Sequence, residues 1–499
     1  MTDAIVIGSG PNGLVAATYL ARAGLSVTVL EANREPGGAV RSRELTRPGF
    51  VHDLGAAFFP FANASPALRG LDLEAVGLEW CRGDLESAHP ALDGTCASLT
   101  RDLYALETCF AGDGAAWRKA ATWASSVKTK LLDLLLAPPV PMGAAWRFGV
   151  GNLLRLAEVG LSSGRGYSER RFASEAARRV LPGLALHTDV GPDDDCGAAV
   201  GFMLAALASI DGFAVPRGGT SAITRALIAR LNEAGGEVVT GERVESIIVR
   251  RGRAHGVRTG RGEREARIVV ADVAAPRLFL ELVPESELPS SVIGSMRRFR
   301  HGFGTFKVDW ALDGAVPWSH PDCARAAVVH AGENNDDLTR FVRQVRAGDL
   351  PDRPYLVLGQ QSLLDPTRAP EGKHTLWCYS RVPSHRPWSK ERESFADAIE
   401  ARIEGLAPGF RGRILARHIS APPDLEATNE NLIGGDLGGG SAQIEQQLIF
   451  RPTFPYFRYR TPIEGLYLGS SYAHPGAGAH GMCGYNAALA ALDDRVMRR

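Results

Sequence analysis

The chain opens on Ala4-Ile-Val-Ile7, an unbroken apolar run of the kind that makes a strand buried on both faces. Gly8-Ser9-Gly10-Pro11-Asn12-Gly13 interrupts it. Leu14–Ala23 then carries apolar residues at helical spacing until Gly24 stops the helix. Leu25–Glu31 is a second apolar strand that ends in an acid. Residues 66–211 read mostly as helix, broken by proline and glycine. Ala222–Ala234 predicts a helix with Thr220 or Ser221 as its N-cap, and strands are predicted over 237–240, 243–249, 253–259 and 267–271. Phe303–Leu312 alternates as a strand, and strands and helices then alternate to about Ile449. A short strand over 465–469 and a helix over Met482–Met497 close the pattern.

The first strand, helix and second strand form a βαβ unit with G-x-G-x-x-G at the strand-to-helix turn, the arrangement of a dinucleotide site. Gly8 permits the tight turn. Gly10 removes the side chain where a pyrophosphate must approach, and Gly13 with Ala17 lets the helix lie close on the sheet. The helix N-terminus offers free N–H groups and a positive dipole to the phosphates. Glu31 can accept both hydroxyls of an adenosine ribose, and its charge repels a 2′-phosphate. Pro36-Gly37-Gly38-Ala39-Val40-Arg41 adds a glycine doublet and an arginine, which favours a flavin dinucleotide over a nicotinamide one. Phe50-Val-His-Asp53-Leu-Gly55-Ala56 runs back towards the cofactor. The candidate FAD contacts here are Gly8, Ser9, Gly10, Pro11, Asn12, Gly13, Glu31, Ala32, Gly38, Ala39, Arg41, Gly55 and Ala56.

Gly476–Gly481 is a second literal G-x-G-x-x-G, but only 18 residues follow it, too few for another strand with a ribose acid. It reads as a glycine turn, including Gly478, aimed at a flavin ring, with the dipole of the last helix supporting negative charge there. His474 and His480 are possible bases, each also explained by loop packing. His52 reads as an ordinary strand residue.

Composition narrows the class. With 499 residues, 45% of them hydrophobic and 22% charged, the chain is globular and long enough for two or three packed units. Fifty-six basic against 56 acidic side chains give no footprint for nucleic acid. Only six of the cations are lysines, which makes Lys307, inside a strand pattern, notable. The 56 glycines exceed the usual share. The cluster at 434–440 has no role in the fingerprint and reads as a mobile loop near the substrate. The seven cysteines lack C-x-x-C or zinc-ribbon spacing, so reduced core thiols in a cytoplasmic protein, and no metal, are expected. No leader or membrane span is expected. Leu131–Leu161 is apolar and broken by Pro138, Pro139 and Pro141. It reads either as buried helices around a proline turn or as a substrate mouth or surface resting on lipid.

Taken together, Gly8–Gly13 with Glu31, Gly37-Gly38, Gly212–Gly219 and Gly465–Gly484 resemble the phytoene desaturase-type FAD-dependent oxidoreductases, relatives of the flavin amine oxidases. The resemblance spans nearly the whole chain and includes a branch named for a pyridine nucleotide-disulfide oxidoreductase domain, although the cysteines give a disulfide no support. It implies an α/β fold. A discontinuous Rossmann-like FAD-binding domain (1–75, 212–290 and 450–499) carries an inserted α+β substrate domain with a helical subregion (76–211 and 291–449). It also implies that Val244 meets adenine, that Gly469, Ser470 and Met482 wrap the flavin end, and that Lys307 is the lysine held near flavin N5. No cysteine occupies the position of a covalent flavin link, so FAD is expected to be non-covalent.

The expected activity is hydride transfer from an apolar, isoprenoid-like small molecule to the flavin, with O₂ or a quinone as electron acceptor and peripheral membrane contact as an option. Two alternatives stand beside it. One is a flavin amine or amino-acid oxidase. The other is an FAD-binding protein whose flavin is structural or supports isomerisation through partners.

Overall fold

The computed structural model describes residues 2–62 and 64–497. The first βαβ unit is β1 (Ala4–Ile7), α1 (Pro11–Arg22) and β2 (Val27–Glu31). β3 (Leu85–Pro90) and β4 (Cys96–Leu99) follow, then α2 (Lys128–Leu135), α3 (Met142–Phe148) and α4 (Val150–Gly160). Next come α5 (Ser221–Glu233), β5 (Glu237–Thr240), β6 (Val244–Arg250), β7 (Arg253–Thr259) and β8 (Ile268–Ala271). The chain continues through β9 (Gly304–Leu312), β10 (Ala326–Ala331), β11 (Leu356–Gly359), β12 (His374–Val382) and β13 (Ile414–Ser420). It ends with β14 (Leu466–Leu468) and α6 (Met482–Val496).

Two sheets organise these elements. The first is five-stranded, in the order β14–β8–β1–β2–β5, and every pairing in it is parallel. Its central strands are buried throughout, as their unbroken apolar runs predict. The mixed α/β class with a Rossmann-like unit is therefore as expected. The second sheet has seven strands, β13–β9–β12–β11–β10–β3–β4, with one parallel pair, β10 with β3. On β9, Phe306, Val308 and Trp310 pack with Trp388, Phe395 and Ile399, while Lys307 lies opposite Tyr379 and Asp309 opposite Trp377.

Several local expectations change. The helix of the βαβ unit begins at Pro11, not Leu14, because proline suits the first helical position and Gly10 already takes the extended cap conformation. Thr220 occupies the cap position of α5, but its hydroxyl donates to Arg41 O instead of capping the helix. The 66–211 region contains β3 and β4 as well as helices. Leu85-Glu-Ser-Ala-His-Pro90 escaped the apolar pattern because its buried positions include Glu86, Ser87 and His89. Glu86 is satisfied there by the Phe213 N–H and by Arg101.

The 434–440 glycines are not a loose surface loop. Asp436 is buried and accepts from the N–H groups of Gly302, Gly438 and Gly440 at 2.9, 2.6 and 2.7 Å. A Cβ on Gly439 would come within 2.5 Å of Ser471 Oγ and 3.0 Å of its carbonyl carbon, so these glycines are required by close packing. All seven cysteines are free thiols.

Candidate active site

The cradle sits where β1, β2 and β8 end. Gly8 has φ +94°, and its N–H donates to Leu30 O. Gly10 and Gly13 have no room for a side chain: a Cβ would fall 2.6 Å from Asp272 Oδ2 and 2.2 Å from Gly8 O respectively. Pro11 opens α1, and the side-chain oxygen of Asn12 is buried with no hydrogen-bond partner among the described residues. The cradle therefore presents bare backbone and a spare polar atom at a helix N-terminus.

Glu31 closes β2 and is buried. Its Oε2 accepts from Ser9 N–H at 3.0 Å and Ser9 Oγ at 2.5 Å, and its Oε1 accepts from Asn33 N–H at 2.8 Å. The acid is thus fixed beside the glycine turn. The N–H groups of Gly241 and Glu242 donate to Asn33 O and Glu31 O, which brings Val244, the first residue of β6, to this same end of the sheet. Ala32 lies at the surface.

The glycine doublet folds back on the cradle. Gly37 N–H donates to Ser9 O, and a Cβ on Gly38 would lie 3.1 Å from Gly10 Cα. Ala39 O accepts from Ala56 N–H at 3.0 Å, and a Cβ on Gly55 would fall 2.5 Å from the same oxygen. Arg41 is 5% exposed. Its guanidinium donates to Gly38 O and Thr428 O, and among the described residues no carboxylate pairs with it. It is therefore a buried cation available to an anion, and burial lowers its pKa from the usual arginine value.

Asp272, one residue past β8, was not singled out in the sequence. Its Oδ2 accepts from Gly13 N–H at 2.9 Å, so it occupies the N-terminus of α1. Burial pushes its carboxyl up to about 7, against the pull of the Gly13 N–H, and the charge of Glu31 adds to the rise. The signal was present: an acid directly after the buried run Ile268–Ala271 mirrors Glu31 after β2.

At the other end, Gly469 N–H donates to Ala271 O, and a Cβ on Gly469 would meet Val270 Cγ1 at 2.9 Å. Ser470 is buried, and its Oγ accepts from Tyr472 N–H at 3.3 Å. Gly478 has φ +137°. Met482 is the first residue of α6, and its N–H donates to His480 Nδ1 at 3.0 Å. α6 packs directly on α1, where a Cβ on Gly484 would lie 1.8 Å from Asn12 O. Burial pushes His474 and His480 each down to about 4, so both are neutral near pH 7. His474 Nε2 meets Leu135 O at 3.0 Å, which gives it a packing role.

Lys307 lies apart from the cradle, on β9. It is neither an edge nor a surface lysine, because β9 has neighbours on both sides and Lys307 is 3% exposed. It pairs with Asp309 on the same face of the strand. Asp309 Oδ1 stands 3.6 Å from His52 Nδ1 and has no hydrogen-bond partner among the described residues. Burial pushes His52 down to about 4, against the pull of Asp309. The sequence reading missed Asp309 and assigned His52 no role. Their convergence depends on the hairpin of Ser42–Glu44 with Val51–Asp53 meeting β9.

The Leu131–Leu161 segment is partly buried and partly exposed. Leu132, Leu136, Ala144, Phe148 and Val159 are buried, but Met142, Trp146, Val150, Leu154 and Leu161 are exposed, Trp146 by 85%. Beside them is a cleft of about 480 Å³ lined by Leu132, Leu136, Pro138, Met142, Met482 and Tyr485, among others. No helix among the described residues is long and apolar enough to cross a membrane.

Fold and cradle together give a Rossmann-like unit beside a second, seven-stranded sheet. A family model described as an NAD(P)-binding Rossmann-like domain matches residues 6–71. The chain is 29% identical to "Pyridine nucleotide-disulfide oxidoreductase domain-containing protein 2" of Mus musculus, over 99% of this chain and 93% of that protein. It is 26% identical to "Phytoene desaturase (neurosporene-forming)" of Cereibacter sphaeroides, over 98% of this chain and 94% of that one. In fold it matches putrescine oxidase in a structure bound to putrescine, with a TM-score of 0.65, 17% identity, and coverage of 100% and 99% of the two chains. The expected resemblance to phytoene desaturase-type flavin oxidoreductases is thereby borne out, and the chain is an oxidoreductase similar to these proteins.

Proposed function

We propose that the protein is a non-covalent FAD-dependent dehydrogenase that removes a hydride from an apolar, isoprenoid-like substrate and leaves a double bond. The observation that carries the substrate class is the cleft beside Met482 with its collar of exposed apolar side chains. The residues present fit FAD. Gly10 and Gly13 keep the turn tight and its backbone bare for a pyrophosphate, Arg41 supplies a cation, and Glu31 is the acid for the ribose. Gly8, Ser9, Pro11 and Asn12 complete the turn, Ala32, Ala39, Gly55 and Ala56 its walls, and Val244 the adenine side. Gly469, Ser470, Gly478 and Met482 take the flavin end. FAD, when bound, supplies the hydride acceptor.

The protein's own part is binding and orientation. Lys307, held by its pair with Asp309, takes the role near the flavin that the family resemblance implies for it, and the proton lost beside the hydride leaves to water. One complete dinucleotide fingerprint leaves reoxidation to O₂ or a quinone rather than to a second nucleotide. The collar on α3 and α4 rests on the lipid from which such a substrate partitions, without crossing it.

The test is spectroscopic and kinetic. Purified protein shows an oxidised-flavin spectrum, and denaturation releases the flavin into solution. A chain that takes up no FAD on reconstitution, or retains it after denaturation, contradicts the proposal. Peroxide release with primary amines and none with isoprenoid alkenes would favour the amine-oxidase reading instead.

A further inference from the structure

Three side chains that the chemistry above does not use converge at the edge of the substrate sheet. Cys96 opens β4, the outermost strand, and His320 and Cys323 come from the loop that leads into β10. One possible ligand atom from each lies within 4.8 Å of the other two. The sheet order β10–β3–β4 explains the meeting, because the loop and the edge strand are separated by a single strand.

The loop is held in place. Gln360 Nε2 donates to the carbonyls of Cys323 and Ala326 at 2.8 Å each, and Trp318 Nε1 donates to Gln360 Oε1 at 2.9 Å. Ser98, two residues along β4 from Cys96, donates through Oγ to Asp322 Oδ2 at 2.8 Å. Asp322 N–H in turn reaches His320 Nδ1 at 3.3 Å. Cys323 is buried and His320 half-buried, so the cluster is closed on the protein side and open towards solvent.

The spacing and the donor set match a thiophilic cation. Zn–S bonds of about 2.3 Å and Zn–N bonds of about 2.0–2.1 Å place tetrahedral donors roughly 3.4–3.8 Å apart, inside the observed spread. Buried Arg179, which donates to Thr95 O beside Cys96, offsets the charge of two thiolates.

We propose that Cys96, His320 and Cys323 form a Zn²⁺ site with its fourth position open to water, clamping the edge strand β4 to the loop before β10. Binding forms two S–Zn bonds and one N–Zn bond, and the two thiol protons leave to solvent. The site is separate from the flavin chemistry. The expectation of no metal rested on spacing alone: His320-Pro-Asp-Cys323 is a short ligand pair, but its third member lies far upstream on another strand.

The experiment is cobalt titration of the reduced, chelator-treated holo-protein. One equivalent of Co²⁺ is expected to produce sulfur-to-cobalt charge-transfer absorption in the near ultraviolet, displaced by Zn²⁺. Zinc near one per chain is expected in the protein as isolated. The Cys96→Ser/Cys323→Ser variant should lose the band entirely, and His320→Ala should weaken cobalt binding at least tenfold. An unchanged flavin spectrum in either variant reports that the chain is folded, and His320→Ala keeps the test informative should the double variant misfold. Absence of the band, its persistence in the double variant, or a Cys96–Cys323 disulfide with no cobalt uptake after reduction would overturn the site.

Discussion

The cradle and the seven-stranded sheet treat buried charge in opposite ways. In the cradle, Glu31 and Asp272 are held by N–H groups of Ser9, Asn33 and Gly13, and Arg41 by two carbonyls. Among the described residues no acid in the cradle is paired with a base there, so the Arg41 cation remains available to an incoming anion. On the other side, Lys307 pairs with Asp309, and Arg368 pairs with both Asp53 and Asp365. Those charges are paired locally. One region is built to complete itself with a charged ligand, and the other is complete without one.

Lys307→Met tests the second half of that contrast most severely. It leaves Asp309 buried and uncompensated, so stability to denaturant is expected to fall by about 3–5 kcal/mol. Adding Asp309→Leu should recover most of it. Flavin reduction should stay slow in both variants while FAD remains bound. Reduction at the wild-type rate in the double variant would remove the pair from catalysis.

Gly13→Ala tests the first half. Its Cβ would lie 2.2 Å from Gly8 O, so the turn must open. FAD affinity should drop about a hundredfold, equivalent to about 2.8 kcal/mol, as read by flavin fluorescence titration. Wild-type affinity would show that the turn is not the binding element.

Asp272 sharpens the comparison through pH. Its carboxyl is raised from 3.8 to about 7, so the folded state prefers it neutral. The stability this gives is present at low pH and is lost as pH rises towards 7. An ionised Asp272 also repels a pyrophosphate at the α1 N-terminus. FAD affinity should therefore weaken above pH 7, by up to about tenfold per pH unit. Asp272→Asn should flatten that profile, and an unchanged slope would place the titrating group elsewhere.

The smallest effect concerns the collar. Trp146→Ser with Leu154→Ser should reduce co-sedimentation with phosphatidylcholine/phosphatidylglycerol vesicles about tenfold, because each removes a full apolar side chain from the lipid-facing side. Flavin content should not change. Equal sedimentation of variant and parent would argue against lipid contact.

The same contrast explains what the sequence made legible. The cradle was readable because Gly8 to Glu31 is a local unit, whose spacing alone determines the turn, helix and second strand. Arg41 could be placed near the phosphates but not seen as buried and unpaired. Asp272, Asp309 and His52 were missed because their partners come from other strands and a distant hairpin. β3 was missed because its interior is polar, and Glu86 is bonded there by a residue more than a hundred positions away. The Cys96–His320–Cys323 cluster has the same cause, since strand order, not spacing, assembles it.

Anaerobic mixing of the holo-protein with isoprenoid alkenes and, in parallel, with amines tests the central claim most directly. The account predicts that alkenes bleach the oxidised flavin band and yield a product with one more double bond, while amines leave the band unchanged. Bleaching by amines alone, or by neither class, would contradict it.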